Sequence, residues 1–254
     1  MRIALRGRNL EDVRPLLDPF SVQIDDDKPE VVLTYGGDGA LLGAEREFPG
    51  IPKFPLRDSR SNPKCDDHDE ESVLKAFFSD QLQRDHVTKV QAVTNNGYRA
   101  IGLNDVIIDR ENPASAIRYR IWIDGSPYAD HIVGDGLVLA SPFGSSGYYR
   151  SITHSLFTIG LGLAFNNATE VVNHLVMKAD SEIQVEILRG TALLFADNDM
   201  DKHRLETGDT LTLSRAQETA TIIGLDVFRC SACYWRRHHH SRPLVPIATA
   251  SENV

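Results

Sequence analysis

A carboxylate set among glycines is the most pointed chemistry in this chain: Gly36-Gly37-Asp38-Gly39, directly after the apolar run Val31-Val32-Leu33. Glycines at such a turn let the backbone bend sharply and let a ligand approach with no Cβ in the way. Ala40, Leu41, Leu42 and Ala44 follow and are good helix formers. A helix starting there aims unpaired N–H groups and a positive dipole end at the turn, which suits a phosphate. Asp38 then has two readings. It caps the helix, or it acts on a hydroxyl or a metal beside a bound phosphate. Two more polar groups interrupt apolar surroundings. Asn104-Asp105 sits inside GLNDVIID, where buried polar side chains need partners. Gly134-Asp135-Gly136 leads to Ser141-Pro142-Phe143-Gly144-Ser145-Ser146-Gly147-Tyr148, whose amides and hydroxyls form either a nucleotide-binding turn or an ordinary serine-rich loop.

These residues need elements to carry them. Arg2–Arg6 reads as a strand, Asn9 as the cap of a short helix over Leu10–Leu17, and Val31–Thr34 as the strand feeding the glycine turn. Strand, helix, strand, helix is the pattern of a small parallel α/β unit, whose ligands sit at the carboxyl ends of strands. Pro49 to Pro63 is punctuated by proline and carries Lys53, Arg57, Arg60 and Lys64, either a solvated loop or a basic loop facing polyphosphate. Glu70–Leu82 is helical, with Val73, Leu74, Phe77, Phe78 and Leu82 on one core-facing side.

After residue 85 the period changes to two. Val87–Val93, Tyr98–Asp109, the hairpin at Arg118–Asp124 and Gly125, Leu137–Ala140, Glu182–Leu188, Thr210–Leu213 and Ala220–Val227 read as strands. One helix is expected there, after Gly147. The expected fold class is therefore an α/β N-terminal domain over 1–85, a β-rich C-terminal domain over 86–225, and a tail over 226–254 that could return to the first domain.

The totals bound the function. The 254 residues are 41% hydrophobic and 25% charged, with a net charge of −9. An acidic chain argues against broad nucleic-acid or anionic-membrane binding. No run approaches the roughly 18 apolar residues of a membrane span. The start, MRIALRGRNLEDV, lacks the apolar core of a signal peptide, and three cysteines make no disulfide framework. A reduced, cytoplasmic protein is the expectation. Cys230-x2-Cys233 with His238, His239 and His240 offers zinc-like ligand types, without a second pair to complete a pattern. Asp197-Asn198-Asp199-Met200-Asp201 lacks the glycine and glutamate that a calcium loop requires.

The order GGDG, then LND, then GDGLVLASPFGSSGYY resembles the NAD kinase family along most of the chain. The apolar stretch Asn173-His174-Leu175-Val176-Met177 and the strand end Phe195-Ala196-Asp197-Asn198 resemble its later motifs. The resemblance implies a two-domain fold and phosphorylation of the 2′-hydroxyl of NAD's adenosine ribose. The donor is ATP or inorganic polyphosphate, with Mg2+ or another divalent metal, and the assembly a homodimer or homotetramer. Carried over, Asp38 is the catalytic base, and Gly36, Gly37 and Gly39 shape the phosphate turn. Asn104 and Asp105 hold the adenosine half, Asp135 reaches the nicotinamide end, and Ser145, Ser146 and Tyr148 line the pocket. Asp197 lies near the reacting phosphate. No protein side chain is assigned as a metal ligand. The chain departs from the family pattern at Ala40 (usually Thr), at Phe143 and Gly147, at Asn198 (usually Gly), and over Ile51–Arg60, where an Asn-x-Gly-x-Leu-Gly-Phe turn is expected. A non-catalytic NAD(P)-binding relative, or a GGDG kinase of another small molecule or lipid, are the alternatives.

Overall fold

Val31–Tyr35 is buried at every position, as a parallel strand covered on both faces must be. It is β3 of an N-terminal unit that runs β1 (Arg2–Gly7), α1 (Leu10–Val13), β2 (Gln23–Ile24), β3, α2 (Asp38–Glu47), β4 (Lys53–Leu56) and α3 (Glu70–Phe78). These four strands are parallel neighbours in the order β2-β1-β3-β4. The computed structural model describes residues 1–58, 60, 68–170, 172, 174–231 and 233. The expectations that fall on Pro63, Lys64, Asn173 and His238–His240 lie outside them.

The rest of the described chain is mostly strand: β5 (Arg84–Thr94), β6 (Arg99–Gly102), β7 (Asp105–Arg110), β8 (Ile117–Ile123), β9 (Ser126–Gly134), β10 (Gly136–Ala140), then α4 (Tyr148–Thr153). It continues with β11 (Leu161–Asn166), β12 (Leu175–Met177), β13 (Ile183–Arg189), β14 (Ala192–Ala196), β15 (His203–Leu205), β16 (Thr210–Ile223) and α5 (Leu225–Phe228). One antiparallel sheet has the order β12-β11-β10-β7-β14-β15. The other is mixed. The parallel strands of the N-terminal unit continue through β4 into β16, β13, β8 and β9, with β5 and β6 branching from β16. The fold class is thus α/β followed by a β-rich region.

The three largest cores among the described residues follow from this. One fills the N-terminal unit, with Leu33, Phe54, Leu74 and Phe77 at its centre. A second lies between the two sheets, where alternating residues of β8, β13 and β16 meet those of β7, β10 and β11. The third joins the halves: Leu41 and Leu42 of α2 pack with Val87, Leu103, Phe143, Ile222 and Phe228. Polar contacts reinforce that junction. Glu45 of α2 is buried between Lys53 of β4 and Lys89 of β5 and forms an ion pair with each. Lys53 also donates to the carbonyl of Phe48.

Several boundaries differ from the sequence expectation, each for a local reason. The helix expected over Leu10–Leu17 stops at Val13, and Pro15–Leu17 is a 3-10 turn, because Pro15 brings no N–H to continue the α-helix. Lys53–Leu56, expected in a loop, is the buried strand β4. It tolerates Pro55 because its pairing with β16 is confined to Ile222 opposite Lys53. The helix expected to reach Leu82 ends at Phe78, with Asp80 at a positive φ of 53°. The two late strands are one long strand, β16, irregular between Arg215 and Thr219. It ends at Ile223, where Gly224 at φ 73° turns the chain into α5.

Candidate functional site

The glycine turn closes where β3 ends. Gly36 has a φ of 143°, a conformation that side chains rarely adopt. Gly37 is the N-cap of α2 and Asp38 its first residue, so the carboxylate sits at the positive end of a ten-residue helix. Its side chain is 43% exposed and therefore reachable.

Two arginines clasp it. Nη2 of Arg57, at the end of β4, donates to Oδ1 of Asp38 at 3.0 Å. Nη2 of Arg229, after α5, stands 3.9 Å from Oδ2. Each guanidinium lies on an aromatic face: Arg57 is 3.7 Å from the ring centre of Phe228, and Arg229 3.5 Å from that of Phe143. Each also donates to a carbonyl, Arg57 to Phe228 at 3.1 Å and Arg229 to Phe143 at 2.8 Å. Burial pulls the Arg229 guanidinium down from its ordinary value, and the charge of Asp38 opposes that shift. Planar, doubly anchored guanidiniums beside a glycine turn and a helix N-terminus form a cradle for phosphate oxygens.

The second part of the site is built by Asp197. Its carboxylate accepts the backbone N–H groups of Leu103, Asn104 and Asp105 at 2.8, 2.7 and 3.2 Å. This is why the strand expected over Tyr98–Asp109 breaks into β6 and β7: the amides at the break bond to a side chain instead of a neighbouring strand. Asp105 is buried, and desolvation together with the charge of Asp197 pushes its carboxyl up to about 7. Asp197 is raised by burial as well, but its three N–H partners oppose the shift and favour its charged form. The Oδ1 of Asn104 is buried and has no hydrogen-bond partner among the described residues.

The Ser141–Tyr148 segment packs onto this break. Ser141 Oγ donates to the carbonyl of Leu103 at 2.6 Å and accepts the N–H of Gly144 at 3.1 Å. Gly144 is obligatory, since a Cβ there would lie 2.0 Å from the carbonyl oxygen of Asn104. Gly147 faces the same residue: a Cβ would meet Nδ2 of Asn104 at 3.6 Å. Ser145 is buried and Ser146 exposed. Tyr148 Oη accepts from Nδ2 of Asn166 at 2.9 Å, and burial with the charges of Asp109, Asp135 and Asp105 raises its phenol. Asp135 pairs with Arg110 at 2.7 Å and accepts from Asn167 at 3.2 Å.

The expected residues therefore fall into linked groups. Gly39 meets the second group directly, because its carbonyl accepts Nδ2 of Asn198 at 3.2 Å, next to Asp197. Oδ1 of Asn198 in turn accepts from Arg46 of α2 at 3.1 Å. Asp38 reaches the serine-glycine segment through Arg229 and the Phe143 carbonyl. Asp135 and Tyr148 lie at the far end, beyond Asp105. A cleft of about 290 Å3 opens beside this junction and is lined in part by Glu45, Arg46, Tyr98, Leu103, Asp197 and Asp199. Sequence reasoning missed Arg229, Arg46 and Glu45. It noted Arg57 only as part of a basic loop, and placed Lys53 there too, whereas Lys53 is fully buried.

Fold and site together define a two-part architecture in which a GGDG-bearing α/β unit is docked on a β-rich region. Residues 103–225 match the family model described as the ATP-NAD kinase C-terminal domain. An NAD kinase of a Polaromonas species is 28% identical over 210 residues, covering 76% of this chain and 70% of that protein. One from Burkholderia vietnamiensis is 25% identical over 222 residues, covering 82% and 72%. Among solved structures, yeast NADH kinase complexed with NADH superposes with a TM-score of 0.78 at 14% identity, over 99% of this chain and 90% of that one. An NAD kinase from Archaeoglobus fulgidus in complex with ATP gives 0.74 at 17% identity, over 93% and 99%. The chain is thus similar to NAD kinases over most of its length and shares their fold.

Proposed function

We propose that this protein transfers a phosphoryl group to the 2′-hydroxyl of NAD's adenosine ribose, giving NADP, with ATP or inorganic polyphosphate as donor. The observation that carries this reading is Asp38: a reachable carboxylate in a glycine turn, flanked by two anchored guanidiniums and joined through Gly39 and Asn198 to the Asp197 shelf. Phosphoryl transfer needs positioning and charge neutralisation more than covalent chemistry. In this reading Asp38 orients the ribose hydroxyl and takes its proton. Gly36, Gly37 and Gly39 admit the phosphates, with Arg57 and Arg229 neutralising them. Asn104, whose buried Oδ1 lacks a partner among the described residues, and Asp105 hold the adenosine half. Asp135 faces the nicotinamide end, Ser145, Ser146 and Tyr148 line the pocket between, and Asp197 holds the backbone that presents Asn104 and Asp105.

The donor set fits a divalent ion carried mainly by the donor's phosphates, as Mg2+ usually is, with Asp38 the carboxylate at the turn. When bound, such an ion neutralises charge on the transferring phosphoryl. Residues 1–85 would then supply the donor turn and 86–225 the dinucleotide site. A homodimer or homotetramer in the cytoplasm completes the proposal. Leu156, Ile159 and Val176 are exposed apolar residues available to an interface.

The test is NADP formation from purified protein, NAD, Mg2+ and either donor. A second reading, NAD(P) binding without transfer, is favoured by the arginine pair already engaging Asp38. A thermal shift with NAD but no product under any donor would select it.

A further inference from the structure

The C-terminal segment carries a cluster that the nucleotide site does not use. His68 immediately precedes Asp69, the N-cap residue of α3 whose carboxylate accepts the N–H of Ser72. Cys230 and Cys233 follow α5. These three come from distant parts of the sequence, yet a ring nitrogen of His68 and both sulfurs lie within 4.8 Å of one another. Sγ of Cys233 is 3.5 Å from Nδ1 of His68. Cys233 is buried, while His68 and Cys230 are half-buried. A tetrahedral zinc ion, with Zn–S bonds of about 2.3 Å and Zn–N bonds of about 2.0–2.1 Å, spaces its ligand atoms roughly 3.4–3.8 Å apart. The Cys233–His68 separation already falls in that range, and small side-chain adjustments bring Cys230 to it.

We propose that His68, Cys230 and Cys233 bind a structural zinc ion that staples the C-terminal segment to the start of α3. The donor set of two thiolates and an imidazole is soft and selects zinc over magnesium or calcium. Each thiol gives up its proton on binding. Structural zinc takes four ligands, so one position remains for a further donor. Cys65 precedes His68 by the spacing that separates Cys230 from Cys233. It lies outside the described residues and is not counted in the site. His238, His239 and His240 lie outside them too; among the described residues, His68 stands beside the cysteine pair.

The position gives the ion a purpose. The small pocket beside the cluster is lined by Leu56, Arg57, His68, Phe228 and Cys233, among others. A staple there fixes Phe228 and Arg229 against Arg57, and so holds both guanidiniums at Asp38 without touching the substrate. The inference does not depend on which substrate the site takes.

Full-length protein, prepared without an affinity tag from cells grown with zinc, tests it. We expect about one zinc per chain by elemental analysis. Replacement by cobalt should give an intense thiolate-to-cobalt absorption band, and chelation should lower Tm by several degrees. The Cys230→Ser/Cys233→Ser double variant, which keeps all nine histidines, should lose both metal and band. His68→Ala should bind zinc at least tenfold more weakly. Wild-type protein with no more zinc than the double variant, or a cobalt complex without a thiolate band, overturns the proposal. Those wild-type readouts stand whether or not the variants fold, and neither depends on NADP formation.

Discussion

Arg57 donates to Asp38 at 3.0 Å, joining the end of β4 to the first residue of α2. The same guanidinium is stacked on Phe228 and tied to its carbonyl, so it cannot follow Asp38 freely. An anchored cation at a glycine turn serves a polyanion better than it serves stability. The exposure of Asp38 limits the energy of the pair to at most about 1 kcal/mol.

Removing that cation should therefore be felt in donor use. A charge-assisted hydrogen bond contributes about 1.5–3 kcal/mol. Arg57→Ala should raise KM for ATP roughly tenfold or more and leave NAD affinity nearly unchanged, measured by steady-state kinetics with each substrate varied. Arg229→Ala should act in the same direction. It should also loosen the Phe143 turn, because Arg229 donates to the Phe143 carbonyl.

Glu45 is the structural counterpart of that pair. Its carboxylate lies buried between Lys53 and Lys89, and burial pulls the Lys53 ammonium down while Glu45 holds it up. Glu45→Ala removes the carboxylate that both buried cations pair with and should cost about 3–5 kcal/mol of unfolding free energy. Denaturant titration measures this directly.

Asp105 sets a pH dependence. Its folded value of about 7 lies above the usual 3.8, so the folded state holds this proton more tightly than the unfolded state does. The stabilisation is full below about pH 3.8 and is lost as pH rises through 7. Wild-type Tm should therefore fall between about pH 4 and 7. Asp105→Asn should flatten that slope, whereas an unchanged slope would assign the pH dependence to another group.

Asn104 separates binding from folding. Because its Oδ1 has no partner among the described residues, Asn104→Ala removes little from the unliganded fold. Thermal stability without ligand should be nearly unchanged. NAD affinity, read by calorimetry, should drop about tenfold, the loss expected when one hydrogen bond to a ligand disappears.

The sequence carried the α/β start and the β-rich remainder because their periods differ, as in Val31–Tyr35 against Ile183–Arg189. It could not place β4, since Pro55 and the buried charge of Lys53 contradict local strand chemistry. Glu45 on another element, with the carbonyl of Phe48, makes Lys53 tolerable. Arg229 escaped notice because its partners, Asp38 and Phe143, are remote in sequence. Three of the departures from the NAD kinase pattern make contacts around the glycine turn and the Asp197 break. Phe143 is the platform for Arg229, Asn198 binds Gly39 and Arg46, and the altered 51–60 stretch supplies Arg57. These are relations between elements, which no local window contains.

Asp38→Asn puts the central claim to the most direct measurement. The change keeps shape and removes the base. Its Tm should stay within a few degrees of wild type and NAD should still bind. Initial rates of NADP formation should fall by about 10²–10⁴, the range of general-base catalysis. A variant that folds, binds NAD and forms NADP at the wild-type rate would contradict the role given to Asp38.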